Sequence, residues 1–257
     1  MAGLTEKLRY KILGSLLAVL FLFILIAWFT LRYVEQPSFI EVEQLNASDQ
    51  LERVRNIIAS ERQNLESWVA DWGYWDDSWE FVAGEHESFY EDNLSEDYLG
   101  TLGLSFAVYL DQDLNIFWAE AYASENGSAM PIERVLSDDF FERQTVLLPE
   151  AREDVVSGFV DTKAGPAILA THTLLKSSGY GPAGGYLVFG KLLDETNLAK
   201  IDRQLVTNID LLPADPGLLE DDHWQAFGEL AELKKPHAIV THDNQIFALG
   251  MLRDLSD

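Results

Sequence analysis

Twenty consecutive uncharged and mostly apolar residues, from Ile12 to Leu31, constrain this chain more than any other feature of its sequence. At about 1.5 Å of rise per residue, a helix of this length crosses a hydrocarbon core of about 30 Å. The run is longer than the apolar region of a signal peptide, and no small-x-small cleavage site follows it. We therefore expect an uncleaved membrane anchor.

The charges that flank this run predict its orientation. Lys7, Arg9 and Lys11 precede it, whereas Arg32 is the only basic residue between the run and Glu35. Because positive charge stays on the cytoplasmic side of a membrane, the N-terminus is expected in the cytoplasm. The chain then passes once through a bacterial inner membrane, and residues from about 34 onward lie in the periplasm.

The composition narrows the classes of function. The chain has 43 acidic and 18 basic residues, for a formal net charge of −25, which argues against nucleic-acid binding and mildly favours cationic or neutral ligands. A need for solubility explains the same charge. Cysteine is absent, so disulfides, thiol catalysis and cysteine-based zinc sites are excluded. No cofactor motif and no metal-binding spacing is found, so we expect neither group.

One short stretch is unusually rich in tryptophan. Four of the seven tryptophans fall between residues 68 and 79, interleaved with three aspartates. If the stretch is one helix, the spacing of about 100° per residue places all four on one stripe: Trp68, Trp72, Trp75 and Trp79. A carboxylate among indoles either finds a hydrogen-bond donor or lies at the lip of a cavity, because unpaired burial of a charge is costly.

A long amphipathic helix is expected to precede this stretch from Leu51 onward, and Pro37 marks either a break or the first turn of a new helix. Its apolar residues recur in alternating steps of three and four, and Glu61 interrupts them. The members of this stripe are Leu51, Val54, Ile58, Leu65, Trp68, Trp72 and Trp75. Such a heptad face is either a dimer seam or the face that packs on the protein's own sheet.

Alternating apolar residues predict strands in the rest of the chain. The expected strands are Leu104–Leu110, Leu114–Tyr122, Val155–Thr162, Pro166–Leu175 and Gly185–Leu193, with a further strand near Ile209–Leu212 and a terminal hairpin of His237–Thr241 with Gln245–Arg253. Helices are expected from Ser137, from Asp194 through Leu205, and from Asp215. This order predicts an α+β fold with a PAS-like or Cache-like antiparallel sheet flanked by helices.

Two segments carry a family resemblance. The run Asp71-Trp-x-x-Trp75-Asp76-Asp77-x-aromatic-x-Phe81-Val82 resembles the opening signature of the fourth class of CHASE domains, the cyclases/histidine kinases associated sensory extracellular domains. The second segment includes Ser157–Thr162, Gly165-Pro166, and a glycine-rich run from Gly179 to Lys191. In that family a Tyr is expected where Trp79 stands, and an Arg where Lys191 stands.

The resemblance implies a periplasmic sensor for a small ligand. It covers residues 36–200, so we expect one domain over residues 34–257, with residues 201–257 as its C-terminal extension and residues 1–33 as cytoplasmic tail and anchor. Such receptors continue into a cytoplasmic output module. This module is either an enzyme of cyclic-di-GMP signalling, a diguanylate cyclase or a phosphodiesterase, or else a histidine kinase. This sequence contains no such module, so we expect no enzymatic activity from it. A homodimer is the expected state.

The candidate ligand-binding residues come from the tryptophan-rich stretch, the loop after it, and the sheet. They are Trp72, Trp75, Asp76 and Asp77, then Tyr90, Asn93 and Tyr98, and finally Thr171 and Lys191, with His172 beside them. Aromatic walls with one or two carboxylates suit an amine or another cation. A salt bridge from Lys191 to the Asp76-Asp77 pair is expected to act as a latch or as an anchor for a carboxylate-bearing ligand.

Three alternatives remain open at this point. In the first, the tryptophans are core residues and the aspartates cap the helix or bind loop amides. In the second, the chain is an anchored periplasmic hydrolase that uses Asp76 and Asp77. In the third, it is an envelope assembly protein that binds a partner through its heptad face.

Overall fold

The computed structural model describes residues 2–32, 36–86, 88–94, 99, 102–137, 139–143, 147–149, 151–212, 214, 215, 217, 221–233, 237–242, 245–253 and 255. Within it the chain forms two compact units. The first consists of Met1–Leu51 and Leu219–Gly250, and the second consists of Glu52–Leu218 and Met251–Asp257.

Helix α1 (Ala2–Thr30) contains the predicted membrane-spanning run. Its 22-residue stretch Arg9–Thr30 has a mean hydropathy of 2.8, and its large apolar side chains are exposed all around the helix. A helix that is apolar on every side is stable in lipid and not in water. Helix α1 therefore fits a single-pass membrane protein.

Helix α2 (Gln36–Gly73) is the long amphipathic helix that the sequence predicts, and Pro37 lies in its first turn, where a missing N–H costs nothing. In the second unit the predicted stripe is buried: Val54, Ile58, Leu65 and Trp72 are each less than 8 % exposed. These side chains belong to the same hydrophobic cluster as residues of the sheet. The heptad face is therefore the face that packs on the protein's own sheet.

The sheet confirms the α+β class. Among the described residues it has six antiparallel strands in the order β3-β2-β1-β6-β5-β4. The strands are β1 (Phe106–Leu110), β2 (Ile116–Tyr122), β3 (Ala129–Met130), β4 (Val155–Thr162), β5 (Gly165–Leu174) and β6 (Gly185–Leu192). The five long strands match the predicted ones to within two residues at each end.

Alternation along the strands gives the sheet two covered faces. On β5, Ile168, Ala170 and Leu174 belong to the cluster that includes α2, whereas Ala167 and Leu169 belong to a second cluster. That second cluster contains residues of the segment 132–149, which includes a 3-10 turn at Ile132–Arg134 and a short helix, α5 (Phe140–Arg143). The central strands are apolar on both sides for this reason.

The segments around the sheet follow the predictions in part. Two short helices, α3 (Asp76–Val82) and α4 (Phe89–Asn93), follow α2. Helix α6 (Glu195–Leu205) begins as expected at Asp194, whose carboxylate accepts a hydrogen bond of 2.9 Å from the Asn197 N–H. The strand expected at Ile209–Leu212 is wrong, because this segment has no regular secondary structure.

The first unit contains the C-terminal hairpin. Strands β7 (Ala238–His242) and β8 (Gln245–Leu249) pair in antiparallel register next to helix α7 (Asp221–Leu233). The Ser48 hydroxyl of α2 lies 3.0 Å from Nε2 of His237. The predicted turn at Asp243-Asn244 lies outside the described residues.

Candidate functional site

A break between α2 and α3 divides the tryptophan-rich stretch. Helix α2 ends at Gly73, and Trp75 has extended backbone angles of φ −100° and ψ 128° before α3 begins at Asp76. The prediction of one helical stripe of four tryptophans is therefore wrong beyond Trp72. Trp68 and Trp72 belong to α2, and Trp79 belongs to α3.

Contacts with β5 explain where the break falls. Glycine is a poor helix former, and the Gly73 carbonyl accepts a hydrogen bond of 2.7 Å from the Leu175 N–H instead of one within the helix. A Cβ at position 73 would lie 2.3 Å from Nδ1 of His172. The end of α2 thus fits against the sheet only because residue 73 has no side chain.

The aromatic residues around the break contact one another mostly at steep angles. The rings of Trp72 and Trp75 are nearly perpendicular, with centroids 5.7 Å apart. Trp72 also packs edge-on against Phe189 of β6 at 5.6 Å, and Trp75 packs against Phe89 of α4 at 5.5 Å. Such edge-to-face pairs stabilise the cluster beyond the burial of area alone.

An open cleft of about 380 Å³ lies at this break. Its lining residues are Asp71, Trp72, Tyr74, Trp75 and Asn93. The structure thus brings together three of the predicted site residues, Trp72, Trp75 and Asn93. The cleft combines aromatic walls with a carboxylate and an amide, which is the usual mixture in small-ligand sites.

Sequence reasoning missed Asp71 and Tyr74 as site residues. On a continuous helix Asp71 would lie one turn before Trp75, at the edge of the tryptophan stripe, whereas Tyr74 would lie on another face. The break at Gly73 places Tyr74 at the same cleft as Asp71. The one available signal was Asp71 as the first residue of the motif that carries the family resemblance. Burial raises the pKa of the Tyr74 hydroxyl, and the carboxylates of Glu153 and Asp154 raise it further, while Arg152 lowers it.

Asp76 contacts the loop between β5 and β6 (residues 175–184). Its two carboxylate oxygens accept hydrogen bonds of 2.8 Å from the backbone N–H and the hydroxyl of Ser177. These two hydrogen bonds, the backbone one first, hold the pKa of the Asp76 carboxyl below its ordinary value. Asp76 is not among the residues that line the cleft, so a ligand role for it stays a prediction.

Asp77 lies in the first turn of α3, half-buried. A carboxylate there interacts favourably with the positive end of the helix dipole.

Helix α3 holds the same loop through a second set of contacts. The Trp79 indole N–H donates a hydrogen bond of 3.1 Å to the Pro182 carbonyl. The Lys176 ammonium lies 4.2 Å from the centroid of the Trp79 ring and 4.0 Å from the Glu80 carboxylate. Trp79 is therefore a bracing residue between α3 and the loop.

Lys191 lies on β6 and points toward α2. Its ammonium makes a 2.6 Å ion pair with the Glu61 carboxylate, and the side chains are 18 % and 30 % exposed. The expected salt bridge from Lys191 to the Asp76-Asp77 pair is therefore replaced by one to Glu61. This pairing also explains why a glutamate interrupts the apolar stripe of α2.

The structure separates the two predicted β5 residues. Because side chains alternate along a strand, His172 faces α2 and Thr171 faces the opposite side of the sheet. His172 is fully buried beside Tyr74, with ring centroids 4.9 Å apart, and burial lowers the pKa of its imidazole. Neither Thr171 nor Lys191 lines the cleft, and their ligand roles stay predictions.

The remaining candidates come from the loop after α3. Tyr90 of α4 is 40 % exposed and packs against Trp118 of β2, with ring centroids 5.9 Å apart. Tyr98 lies outside the described residues.

Comparison with known proteins agrees with this architecture. The extracellular domain of vpHK1S-Z8, a protein assigned as a histidine kinase, has a similar structure: the TM-score is 0.55 over 82 % of this chain and 89 % of that chain, at 10 % sequence identity. At this identity the likeness concerns the fold. The preceding apolar helix fits a single-pass membrane protein.

The family follows from the sequence match. A CHASE4 domain model matches residues 57–212, which is more than half of the chain, and the chain belongs to the CHASE4 family. The resemblance drawn from the tryptophan-aspartate motif is thereby confirmed. The matched region includes the cleft, α3, the whole sheet and α6.

The chain is also similar to a curated protein. It is 30 % identical over 149 residues to the methanogenesis regulatory histidine kinase FilI of Methanothrix harundinacea (strain 6Ac). The match covers 58 % of this chain and 16 % of the length of FilI.

Proposed function

We propose that this chain is the extracytoplasmic sensor region of a membrane-anchored signal-transduction protein, and that it binds a small ligand in the cleft at the α2–α3 break. Membership of the CHASE4 family supports the sensor role. The cleft supports the ligand, because its volume of about 380 Å³ lies in the range of roughly 300 to 1,000 Å³ that small-molecule sites occupy.

The position of the cleft on α2 is the observation that carries this proposal. Asp71 and Trp72 line the cleft and lie in the last turn of α2, and the 38 residues of that helix extend about 57 Å at about 1.5 Å each. The start of α2 follows the apolar run in the sequence. A ligand at one end of the helix therefore acts on the element that leads to the membrane anchor.

The break lets a ligand act on α2 from two sides. Asp71 and Trp72 belong to α2, whereas Trp75 precedes α3 and Asn93 belongs to α4. A ligand that contacts both groups favours the arrangement in which they lie closest. In a homodimer, the ligand shifts the equilibrium between the two arrangements of α2. The size of this shift is set by the difference between the ligand's binding free energies for the two arrangements.

The proposed topology places the N-terminus in the cytoplasm, residues 12–31 in the inner membrane and residues from about 34 in the periplasm. The output module lies outside this sequence. The similarity to FilI favours a histidine kinase over a diguanylate cyclase or phosphodiesterase. The region itself has a binding role and no catalytic one, and its net charge of −25 opposes nucleic-acid binding.

The contacts of Asp76 do not favour the hydrolase alternative. A general acid needs a pKa near the working pH, whereas the hydrogen bonds from Ser177 lower the pKa of Asp76. Burial of Val54, Ile58 and Leu65 likewise removes these residues of the heptad face from contact with an assembly partner.

A thermal-shift screen tests the proposal on the full chain in a maltoside detergent, with amines, amino acids, carboxylates, sugars and divalent ions as probes. A ligand at a hundred times its dissociation constant adds about 2.7 kcal/mol to the free energy of unfolding, a readily visible rise in melting temperature. We expect Trp75→Leu to weaken a hit. The matched control is Trp224→Leu, which removes a tryptophan of α7 that stacks on Phe227. A screen without hits, or hits that Trp75→Leu leaves unchanged, would refute the proposal.

A further inference from the structure

Three aromatic rings line the cleft. Trp72 and Trp75 meet at an interplanar angle of 80°, and Tyr74 adds a third ring. Ring faces at such angles can surround one small group from more than one side. An aromatic face carries partial negative charge, so it attracts a cation within about 6 Å of its centroid, and tryptophan does so best.

The charges around the cleft have the matching sign. Asp71 is an exposed carboxylate that lines the cleft in the last turn of α2. Glu153 and Asp154 both raise the pKa of Tyr74, so two further carboxylates act on a residue of the cleft wall. Arg152 opposes them, and its guanidinium donates a hydrogen bond of 2.6 Å to the Gly181 carbonyl.

The neighbouring helix already holds a cation in this way. The Lys176 ammonium lies 4.2 Å from the centroid of Trp79, and the Glu80 carboxylate lies 4.0 Å from the same nitrogen. An indole face with an adjacent carboxylate therefore binds an alkylammonium within this fold. The cleft repeats the combination with Trp72 and Trp75 as the indoles and Asp71 as the carboxylate.

We propose that the cleft binds a small organic cation, an alkylammonium or quaternary ammonium compound, between Trp72, Tyr74 and Trp75 with Asp71 as its counter-charge. The inference rests on the proposed function, because it names the ligand class of the same site. Asn93 supplies an amide for a hydroxyl or amine on the far end of the ligand.

Two pairs of probes of equal shape test for recognition of charge. Choline is compared with its neutral isostere 3,3-dimethylbutanol, and butylamine with butan-1-ol, by calorimetric titration of the full chain. A maltoside detergent is used because it carries no choline headgroup. We expect one or both cations to bind and their neutral partners to bind at least tenfold more weakly.

Substitution of Asp71 tests the counter-charge. Asp71→Asn keeps the shape and removes the charge, so we expect it to weaken cation binding on the order of five- to tenfold. The matched control is Asp113→Asn, which removes an exposed carboxylate that does not line the cleft, in the turn between β1 and β2. It should leave the affinity unchanged. The melting temperature of each variant without ligand reports that it has folded.

The results separate this inference from the proposed function. Equal binding of the neutral isosteres, or no effect of Asp71→Asn, would overturn the cation class. If both cations fail while a neutral or anionic compound binds in a way that Trp75→Leu weakens, the inference is wrong and the proposed function stands. If no compound of any class binds, both are wrong.

Discussion

The aspartates of one short motif have three different surroundings. Asp71 lines the cleft, Asp76 binds the loop after β5 through Ser177, and Asp77 lies in the first turn of α3. Asp71 differs from the other two because the chain changes direction after Gly73, and Asp76 differs from Asp77 because neighbouring residues of a helix point about 100° apart. The structure favours the capping and bracing role for Asp76 that the sequence left open beside a ligand role.

The lowered pKa of Asp76 predicts a pH-dependent stability. A carboxyl whose pKa is lower in the folded state stabilises the fold above its unfolded pKa, near 3.8, and this contribution is lost as the pH falls through the folded pKa. We expect Asp76→Asn to lower the melting temperature at neutral pH. The difference from the unchanged chain should stay constant at higher pH and shrink as the pH falls below about 5 and through the folded pKa, which lies below 3.8.

The control for this prediction is Asp113→Asn, which removes an exposed carboxylate from the turn between β1 and β2. It should leave the melting temperature nearly unchanged over the same fall in pH. A difference for Asp76→Asn that is absent at neutral pH, or that stays constant down to the folded pKa, would contradict the role of the Ser177 hydrogen bonds.

At the scale of elements, two of the contacts between α2 and the sheet differ in chemistry. Its end fits against His172 through Gly73, and its middle is held by the ion pair of Glu61 with Lys191. The first contact is steric and the second is partly exposed and ionic. The steric contact places the break, and therefore the cleft.

The close approach at Gly73 predicts an unusual response to alanine. Alanine favours a helix over glycine, but a Cβ here would lie 2.3 Å from Nδ1 of His172. We expect Gly73→Ala to destabilise the chain by about 1 to 3 kcal/mol through overpacking, measured by thermal unfolding.

The matched control is Gly228→Ala in the interior of α7, where a Cβ would meet nothing within 4 Å. It should stabilise its helix by about 0.5 to 1 kcal/mol. If both alanines stabilise the chain, the contact between Gly73 and His172 does not constrain the break.

For the whole molecule, the proposed transmission of a signal from the cleft to the membrane depends on the face of α2 that does not pack on the sheet. The buried stripe of Val54 and Ile58 packs on the sheet, so a homodimer that uses α2 must use the opposite face. Glu52, Asn56 and Gln63 lie on that face, within about 40° of one another, and are exposed.

Disulfide crosslinking in membranes tests this face, and the absence of native cysteine makes every crosslink unambiguous. We expect single cysteines at Asn56 or Gln63 to form covalent dimers, at a rate that a bound ligand changes several-fold. Ile58→Cys, on the buried face, should form none. The signalling route is wrong if crosslinking is indifferent to every ligand that binds.

Sequence alone was sufficient wherever a local pattern has one physical solution. Twenty uncharged, mostly apolar residues favour an apolar helix, alternating apolar residues favour strands, and an aspartate before a helix caps it, as Asp194 does. The family motif was also visible, because it is a string of residues. Long-range contacts could not be predicted from the sequence, since each of these residues had several chemically suitable partners.

Only the tertiary structure decided which partner each residue has. The heptad face could have met a second copy or the sheet, and burial of Ile58 and Leu65 shows that it meets the sheet. Lys191 could have paired with any nearby carboxylate. Its position on the α2 side of β6 brings it next to Glu61. The sequence around Gly73 favours a longer helix, but the helix ends there. His172 fills the space beside Gly73, and the Leu175 N–H donates a hydrogen bond to the Gly73 carbonyl.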